Sequence, residues 1–186
     1  TWHEGEPLGS FLQSCTDESE RRRMFRSFGK IAAAFHNQSA RWQAPTGFIR
    51  RSLGLENLLG EDPFWGRFWD HPELSESERA LLLRARHSLR ASIGAYGEQP
   101  GKFSLIHADF TLDNIIYDRN RLAVIDFDDC AYGWHMYDIA SLLIESVLCS
   151  DFSELQSALL EGYRRHRSLA LQDVEILSDF VLVRGM

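Results

Sequence analysis

The sequence predicts an α+β fold, mostly helical around one small β-hairpin. Three observations carry that expectation. Apolar residues recur at helical spacing in several stretches, most clearly Met24, Phe25, Phe28, Ile31, Ala32 and Phe35. Two short apolar runs, Ile115 to Tyr117 and Leu122 to Ile125, flank the polar turn Asp118-Arg119-Asn120-Arg121, the pattern of two strands and their connection. Between residues 103 and 130, carboxylates and Asn114 crowd near His107, so the polar chemistry sits at the hairpin's ends.

Taken in order, residues 1 to 10, with Gly5, Pro7 and Gly9, read as an irregular opening. Asp17, with Glu20 three residues on, can cap a long amphipathic helix reaching about Trp42. His36 near its end reads as a packed or dipole-compensating histidine. Residues 43 to 74 are rich in Gly, Pro and aromatics (Phe48, Phe64, Trp65, Phe68, Trp69), with a short helix around Leu55 to Leu59; such aromatics more often fill an irregular core than face a substrate. Ser75 and Glu78 form a second capping box, ahead of a helix whose buried stripe is Leu82, Ala85, Leu89 and Ile93 and which Gly94, Gly97, Pro100 and Gly101 end. After the central block, Ala131 to His135 reads as a loop. Asp138 then falls near the start of an apolar helix, Ile139 to Leu148, and two further helical stretches follow, 152 to 166 and 174 to 183.

A chain of 186 residues suffices for one core or for one lobe of a larger enzyme. Its net charge of −7 argues against a nucleic-acid surface, because phosphate backbones reward clustered Lys and Arg. Three cysteines, Cys15, Cys130 and Cys149, without close paired spacing favour reduced thiols in a cytoplasmic setting over disulfides or zinc. No apolar run approaches membrane-spanning length, so no membrane partner is expected. The opening on Thr1 and the stop at Met186, just after the apolar run 180 to 183, suggest a fragment.

The hairpin places Asp126 just past a strand end, where it can stand opposite Asp109 and Asn114. Two acids and an amide on rigid strand ends suit a magnesium-dependent phosphoryl transfer, which needs an Asp to orient the attacking hydroxyl and oxygen ligands for Mg²⁺. Turn and cap preferences explain Asp113, Asp118 and Asn120 well. They do not explain Asp126, Asp128 and Asp129 packed together, whose repulsion requires a cation or basic partner.

The pattern His107-x-Asp109-x-x-x-x-Asn114, followed by Ile125-Asp126-Phe127-Asp128 and by Tyr137-Asp138-Ile139-Ala140, closely resembles the aminoglycoside phosphotransferase and choline kinase family, relatives of the protein kinases. The helix ending Ala34-Phe35-His36 and the opening Glu4-Gly5-Glu6-Pro7-Leu8 extend the resemblance over essentially the whole chain. It implies a C-terminal lobe of a protein-kinase-like fold: residues 1–16 the hinge exit, 17–102 a helical region, 103–130 the catalytic and metal-binding loops, 131–186 the C-terminal helices. It implies ATP as phosphoryl donor, with GTP as an alternative, and Mg²⁺. Asp109 would be the catalytic aspartate, Asn114 and Asp126 metal ligands, Asp128 a further metal candidate, and His107 and Asp138 structural supports. Ala108 stands where the family often has Gly. The family's N-terminal lobe, with its Gly-rich loop and strand Lys, has no counterpart here: the two lysines, Lys30 and Lys102, fall on a helix and before the catalytic strand. The nucleotide-gripping lobe is therefore expected to be absent.

On the acceptor side, Asp113, Asp128, Asp129 and Glu145 with Tyr132, Trp134, His135 and Tyr137 mix carboxylates with aromatic faces, which suits an amine-bearing hydroxyl compound. Aminoglycoside-like, choline-like, homoserine-like and sugar acceptors all remain open. Two rival readings stand beside the kinase. One is a non-catalytic kinase-like binding lobe. The other is a haloacid-dehalogenase-type phosphohydrolase, since Leu122 to Asp128 also spells a strand ending in Asp-x-Asp; the missing downstream Lys and the unexplained His107-x-Asp109 speak against it.

Overall fold

The computed structural model describes residues 5–118 and 121–186. A two-residue strand, β1 (Glu6–Pro7), runs directly into α1 (Leu8–Ser14), so from Leu8 onward the opening expected to be irregular is helical, while residues 1–4 of it lie outside the described residues. Leu8 and Leu12 lie one turn apart and are both buried, and that apolar pair outweighs the local signal of Pro7 and Gly9. In α2 (Glu18–Ser39) the Asp17 carboxylate accepts the Ser19 and Glu20 N–H groups at 2.8 and 3.3 Å. Glu20 turns to Arg23 instead of back to the cap. The helix stops at Ser39, short of Trp42.

The short helix α3 (Leu55–Leu59) has the expected bounds. In α4 (Glu76–Tyr96) the capping box is reciprocal: Glu78 N donates to Ser75 Oγ at 3.3 Å, and Ser75 N to the Glu78 carboxylate at 2.8 Å. Leu89, Ile93 and Tyr96 form its buried end, and Gly97, at φ 73°, turns the chain out of the helix.

Four strands follow, β2 (Phe103–Ile106), β3 (Ile115–Asp118), β4 (Arg121–Val124) and β5 (Ala131–Trp134). They form two small antiparallel sheets, β1-β3-β4 and β2-β5. The β3–β4 pair is the expected hairpin; Arg119 and Asn120 of its expected turn lie outside the described residues. Strand β5 replaces the loop expected at 131 to 135. Its backbone is claimed from both sides: it pairs with β2, and the 51–53 segment bonds to Tyr132 through Tyr132 N to Arg51 O (2.9 Å) and Leu53 N to Tyr132 O (2.7 Å).

Helix α5 (His135–Leu143) starts earlier than expected and is buried along its whole length; a 3₁₀ turn, Ile144–Ser146, ends it. The chain continues through α6 (Phe152–Arg164), α7 (Leu171–Glu175) and α8 (Leu177–Gly185), so the single helix expected from 174 to 183 is two. Helices α2 and α6 meet backbone to backbone. A Cβ on Gly29 would lie 1.9 Å from the Leu159 carbonyl oxygen, and one on Gly162 1.9 Å from that of Arg26. This contact brings Tyr163 under α2. Among the described residues no helix is long and apolar enough to cross a membrane.

Candidate active site

The chain leaves β2 through His107, Ala108 and Asp109. Ala108 is fully buried and adopts φ 70°, a left-handed conformation unfavourable for a residue with a Cβ. The wholly buried Asp138 carboxylate holds it there, accepting Ala108 N at 2.8 Å on one oxygen and His107 N at 2.9 Å on the other. His36 Nε2 reaches the second oxygen at 3.1 Å, while its Nδ1 lies 2.9 Å from the Tyr163 hydroxyl. Burial pushes the His36 pKa down to about 3. The imidazole is therefore neutral near pH 7, donating from Nε2 to Asp138 and accepting the Tyr163 O–H at Nδ1. The contact is a hydrogen bond and not a salt bridge, and of the two roles read for His36 only the packed one fits. Burial raises the Asp138 pKa to about 6, opposed first by the His107 N–H.

His107 is fully buried, stacked on Phe110 at 5.2 Å and tilted against Phe127 at 4.6 Å. Its Nε2 donates to the Ile125 carbonyl at 2.9 Å, tying the Asp109 loop to the strand end that precedes Asp126.

Asp109 is partly exposed and held from two directions. Asn114 Nδ2 donates to its backbone carbonyl and to Oδ2, both at 2.9 Å, and Arg184 Nη2 from α8 lies 2.5 Å from Oδ1. Both Asn114 bonds use the amide nitrogen, which leaves the amide oxygen for another partner. Ile125 N bonds to the Asn114 carbonyl at 3.0 Å, so Asp126, exposed and at φ 60°, emerges beside Asn114. Asp128 is also exposed. Among the described residues no three His, Cys, Asp or Glu side chains converge into a closed metal cage. The Asn114 amide oxygen and the exposed Asp126 and Asp128 carboxylates would offer hard oxygen donors of the kind taken by Mg²⁺, an ion that keeps waters and substrate phosphates among its ligands.

The crowding of the acids has a basic answer that the sequence reading missed. Arg51 pairs with the Asp129 carboxylate, its guanidinium 4.0 Å from the Phe64 ring centre, and Arg50 donates to the Asp128 carbonyl at 3.2 Å. Asp129, expected on the acceptor side, is thereby engaged with the 50–65 segment.

The other expected acceptor residues divide. Glu145 is exposed, and its carboxylate accepts Leu112 N at 3.3 Å; partial desolvation raises its pKa, and Asp113, Arg184 and Asp109 are close enough to act on it. Asp113 lies near it across Gly9, where a Cβ would sit 2.5 Å from Asp113 Oδ1 and 3.8 Å from Glu145 Oε2. Gly9, Leu12, Leu112, Glu145 and Cys149 line a cavity of about 190 Å³. Tyr137 is buried beside Arg184 and Trp65 at a second cavity. Trp134 and His135 are core residues. Trp134 is 1% exposed, packs edge-on against Phe103 and donates to the Gly97 carbonyl at 2.9 Å. His135 stacks on His36 at 4.4 Å, bonds Ser104 Oγ at 2.8 Å, and is kept neutral by burial, its pKa lowered to about 2. The unexpected β5 and the early start of α5 turn both inward.

Comparison with known proteins places this geometry in a family. A structure of a microcompartment-associated aminopropanol kinase is 38% identical, with a TM-score of 0.82, covering 88% of this chain and 51% of that one. Amicoumacin kinase of Bacillus subtilis (strain 168) is 24% identical over 151 residues, 73% of this chain and 45% of its own. Homoserine kinase of Pseudomonas aeruginosa (strain LESB58) is 32% identical over 108 residues, 56% of this chain and 34% of its own. The chain thus spans less than half the length of these two curated relatives. An aminoglycoside-3'-phosphotransferase of type VIII shares the fold, with a TM-score of 0.57 at 18% identity, covering 99% of this chain and 66% of that one. The family model for the phosphotransferase enzyme family matches residues 1–174, and the chain, a kinase-like α+β lobe, belongs to that family.

Proposed function

We propose that the full-length protein transfers the γ-phosphoryl group of ATP to a hydroxyl of a small, amine-bearing acceptor, with Mg²⁺ as cofactor. The observation that carries this reading is the clamp on Asp109: Asn114 spends its amide nitrogen on the aspartate and keeps its amide oxygen for a cation. One residue thereby couples the position of the acceptor hydroxyl to that of the metal. Asp109 orients the hydroxyl and takes its proton as the new P–O bond forms and the bond to the leaving ADP oxygen breaks. In such a loose transition state most of the gain comes from positioning, which a loop locked by Asp138 supplies. Asn114, Asp126 and Asp128 would hold the Mg²⁺, which neutralises charge on the phosphates. Asp113 and Glu145 offer the carboxylates for an ammonium group.

The names of the relatives support a small acceptor: an aminopropanol, homoserine or amicoumacin kinase in each case. Grip on the nucleotide is assigned to parts of the protein outside these 186 residues, since the matched portions make up only 51%, 45% and 34% of those relatives. The test is a phosphorylation screen with the full-length protein, Mg²⁺ and ATP or GTP, pairing each amino alcohol with the same alcohol lacking the amine. Transfer favouring the amine-bearing member is expected. Nucleotide hydrolysis with no phosphorylated alcohol would overturn the reading.

A further inference from the structure

Asp126, Asp128 and Asp129 stand within one short stretch, and a tight turn confines them, Cys130 N donating to the Phe127 carbonyl at 3.1 Å. Both ends of that turn are anchored. Before it, Ile125 is tied through its N–H to the Asn114 carbonyl and through its own carbonyl to His107; after it, Tyr132 N donates to the Arg51 carbonyl at 2.9 Å. Like charges held so close repel unless a positive group offsets them.

That compensation is unequal. Among the described residues, Asp129 is the one of the three whose carboxylate has a hydrogen-bond or ion-pair partner, and the partner is Arg51. Nη2 of Arg51 serves the Asp129 carboxylate and lies 3.4 Å from the Asp129 backbone carbonyl, so one nitrogen folds the side chain against its own main chain. The guanidinium is itself held in place, 4.0 Å from the Phe64 ring centre and 5.4 Å from that of Trp65. Arg50 donates to the Asp128 carbonyl at 3.2 Å and leaves the exposed Asp128 carboxylate open. The turn therefore presents Asp126 and Asp128 as open carboxylates and Asp129 as an occupied one.

The number of open carboxylates matters to a cation. Mg²⁺ demands a small, regular octahedron, keeps several waters and is bound through few carboxylates and the substrate phosphates. Ca²⁺ is larger, accepts more oxygens in looser geometry and gains affinity with the charge of its ligands. We propose that Arg51, by occupying Asp129, sets the metal preference of the Asp126 loop, favouring Mg²⁺ over Ca²⁺. The inference rests on the assignment of Asn114, Asp126 and Asp128 to the metal in the phosphoryl-transfer reading, and it makes Arg51 a positioning residue acting through Asp129. With the guanidinium removed, Asp129 becomes a further carboxylate for the cation, and Ca²⁺ gains more than Mg²⁺.

The test is calorimetry on the full-length protein with the magnesium and calcium complexes of a β,γ-imido analogue of ATP, which cannot transfer its γ-phosphoryl group. The readout is the ratio of the two dissociation constants, in which the affinity of each metal for the free nucleotide cancels between parent and variant. Arg51→Gln should move that ratio toward Ca²⁺ by about tenfold, the scale of one charge-assisted contact. Arg51→Lys, which keeps the charge without the planar stack on Phe64, should move it less and in the same direction; it carries the test if Arg51→Gln does not fold. Asp129→Asn added to Arg51→Gln removes the freed carboxylate and should return the ratio to that of the parent. In turnover with Mg·ATP, the Ca²⁺ concentration that halves the rate should fall in Arg51→Gln by a similar factor. Equal weakening of both complexes, with the ratio unchanged, overturns the inference, because Arg51 would then only brace the loop. A shifted ratio that Asp129→Asn fails to reverse also overturns it. If the parent binds both complexes and phosphorylates no alcohol, the transfer reading falls, while a shifted ratio still supports the role of Arg51. No metal-dependent nucleotide binding by the parent sinks both.

Discussion

His36 Nε2 lies 3.1 Å from Asp138 Oδ2, and both side chains are completely buried. The same carboxylate also receives the His107 and Ala108 N–H groups, so one side chain answers three buried donors and joins α2 to the Asp109 loop. Asp138→Ala orphans all three at once. Each unpaired buried donor costs about 1–3 kcal/mol, and the expected loss is about 3–5 kcal/mol in urea unfolding. His36→Leu removes only one of the three donors and should cost less. A cost below about 1 kcal/mol for Asp138→Ala would mean that the loop is held by something else.

Stability should fall on acidification below about pH 6.5, the ordinary histidine value. Burial lowers His36 to about 3 and His135 to about 2, so between pH 6.5 and 3 the unfolded chain takes up two protons that the folded one refuses. Their contribution is complete above 6.5 and lost as pH falls. Asp138 acts in the opposite sense: raised by burial to about 6, it takes up a proton in the folded state before the unfolded state does, adding stability as pH falls from 6 to about 4. Two histidines against one aspartate leave a net uptake of one proton on unfolding between pH 6 and 4, so stability there falls by on the order of 1 kcal/mol per pH unit of acidification. His135→Asn deletes one of the two and should flatten this dependence. Thermal unfolding of both forms from pH 7.5 to 4.5 checks it, and identical slopes would contradict the burial argument.

Asp109→Ala in the full-length protein should reduce phosphoryl transfer by about 10²–10⁴-fold with a much smaller loss of Mg·ATP affinity, since Asp109 meets the assigned metal ligands only through Asn114, which keeps its bond to the backbone carbonyl of residue 109. A coupled turnover assay and calorimetry separate the two quantities. Turnover within a factor of a few of the parent would remove Asp109 from the mechanism.

What the sequence makes legible is what local chemistry determines. The Ser75–Glu78 box, the 55–59 helix and the 115–124 hairpin each rest on residues within a few positions of one another, and each was read from those residues. The features missed are those whose cause is distant. Strand β5 exists because β2 and the 51–53 segment claim its backbone, and Ala131-Tyr132-Gly133-Trp134 has no strand pattern of its own. An aromatic such as Trp134 following an acidic loop reads the same whether it lines a pocket or fills a core. Arg184 and Arg51 join the site across 75 and 78 residues, and nothing in the spacing of arginines marks a particular one as a partner.

The α2–α6 contact gives the last prediction, because it ties packing remote from the site to Asp109. Glycine inside a helix is ordinarily a weakness, and Ala in its place stabilises. At Gly29 and Gly162 the sign reverses: a methyl group on either would stand 1.9 Å from a backbone carbonyl oxygen of the facing helix, an atom that cannot swing aside. The helices must separate, and overpacking of this kind costs about 1–3 kcal/mol. Separation also carries Tyr163 away from His36, loosening the donor that fixes the imidazole on Asp138. Gly29→Ala and Gly162→Ala should therefore lower both stability and kcat, with little change in KM. Gly94→Ala, where an added methyl would meet only a Leu55 side-chain carbon at 3.3 Å, is the control, expected to leave kcat unchanged. Equal kcat for all three variants and the parent would show that α2 and α6 can part without disturbing the Asp109 loop.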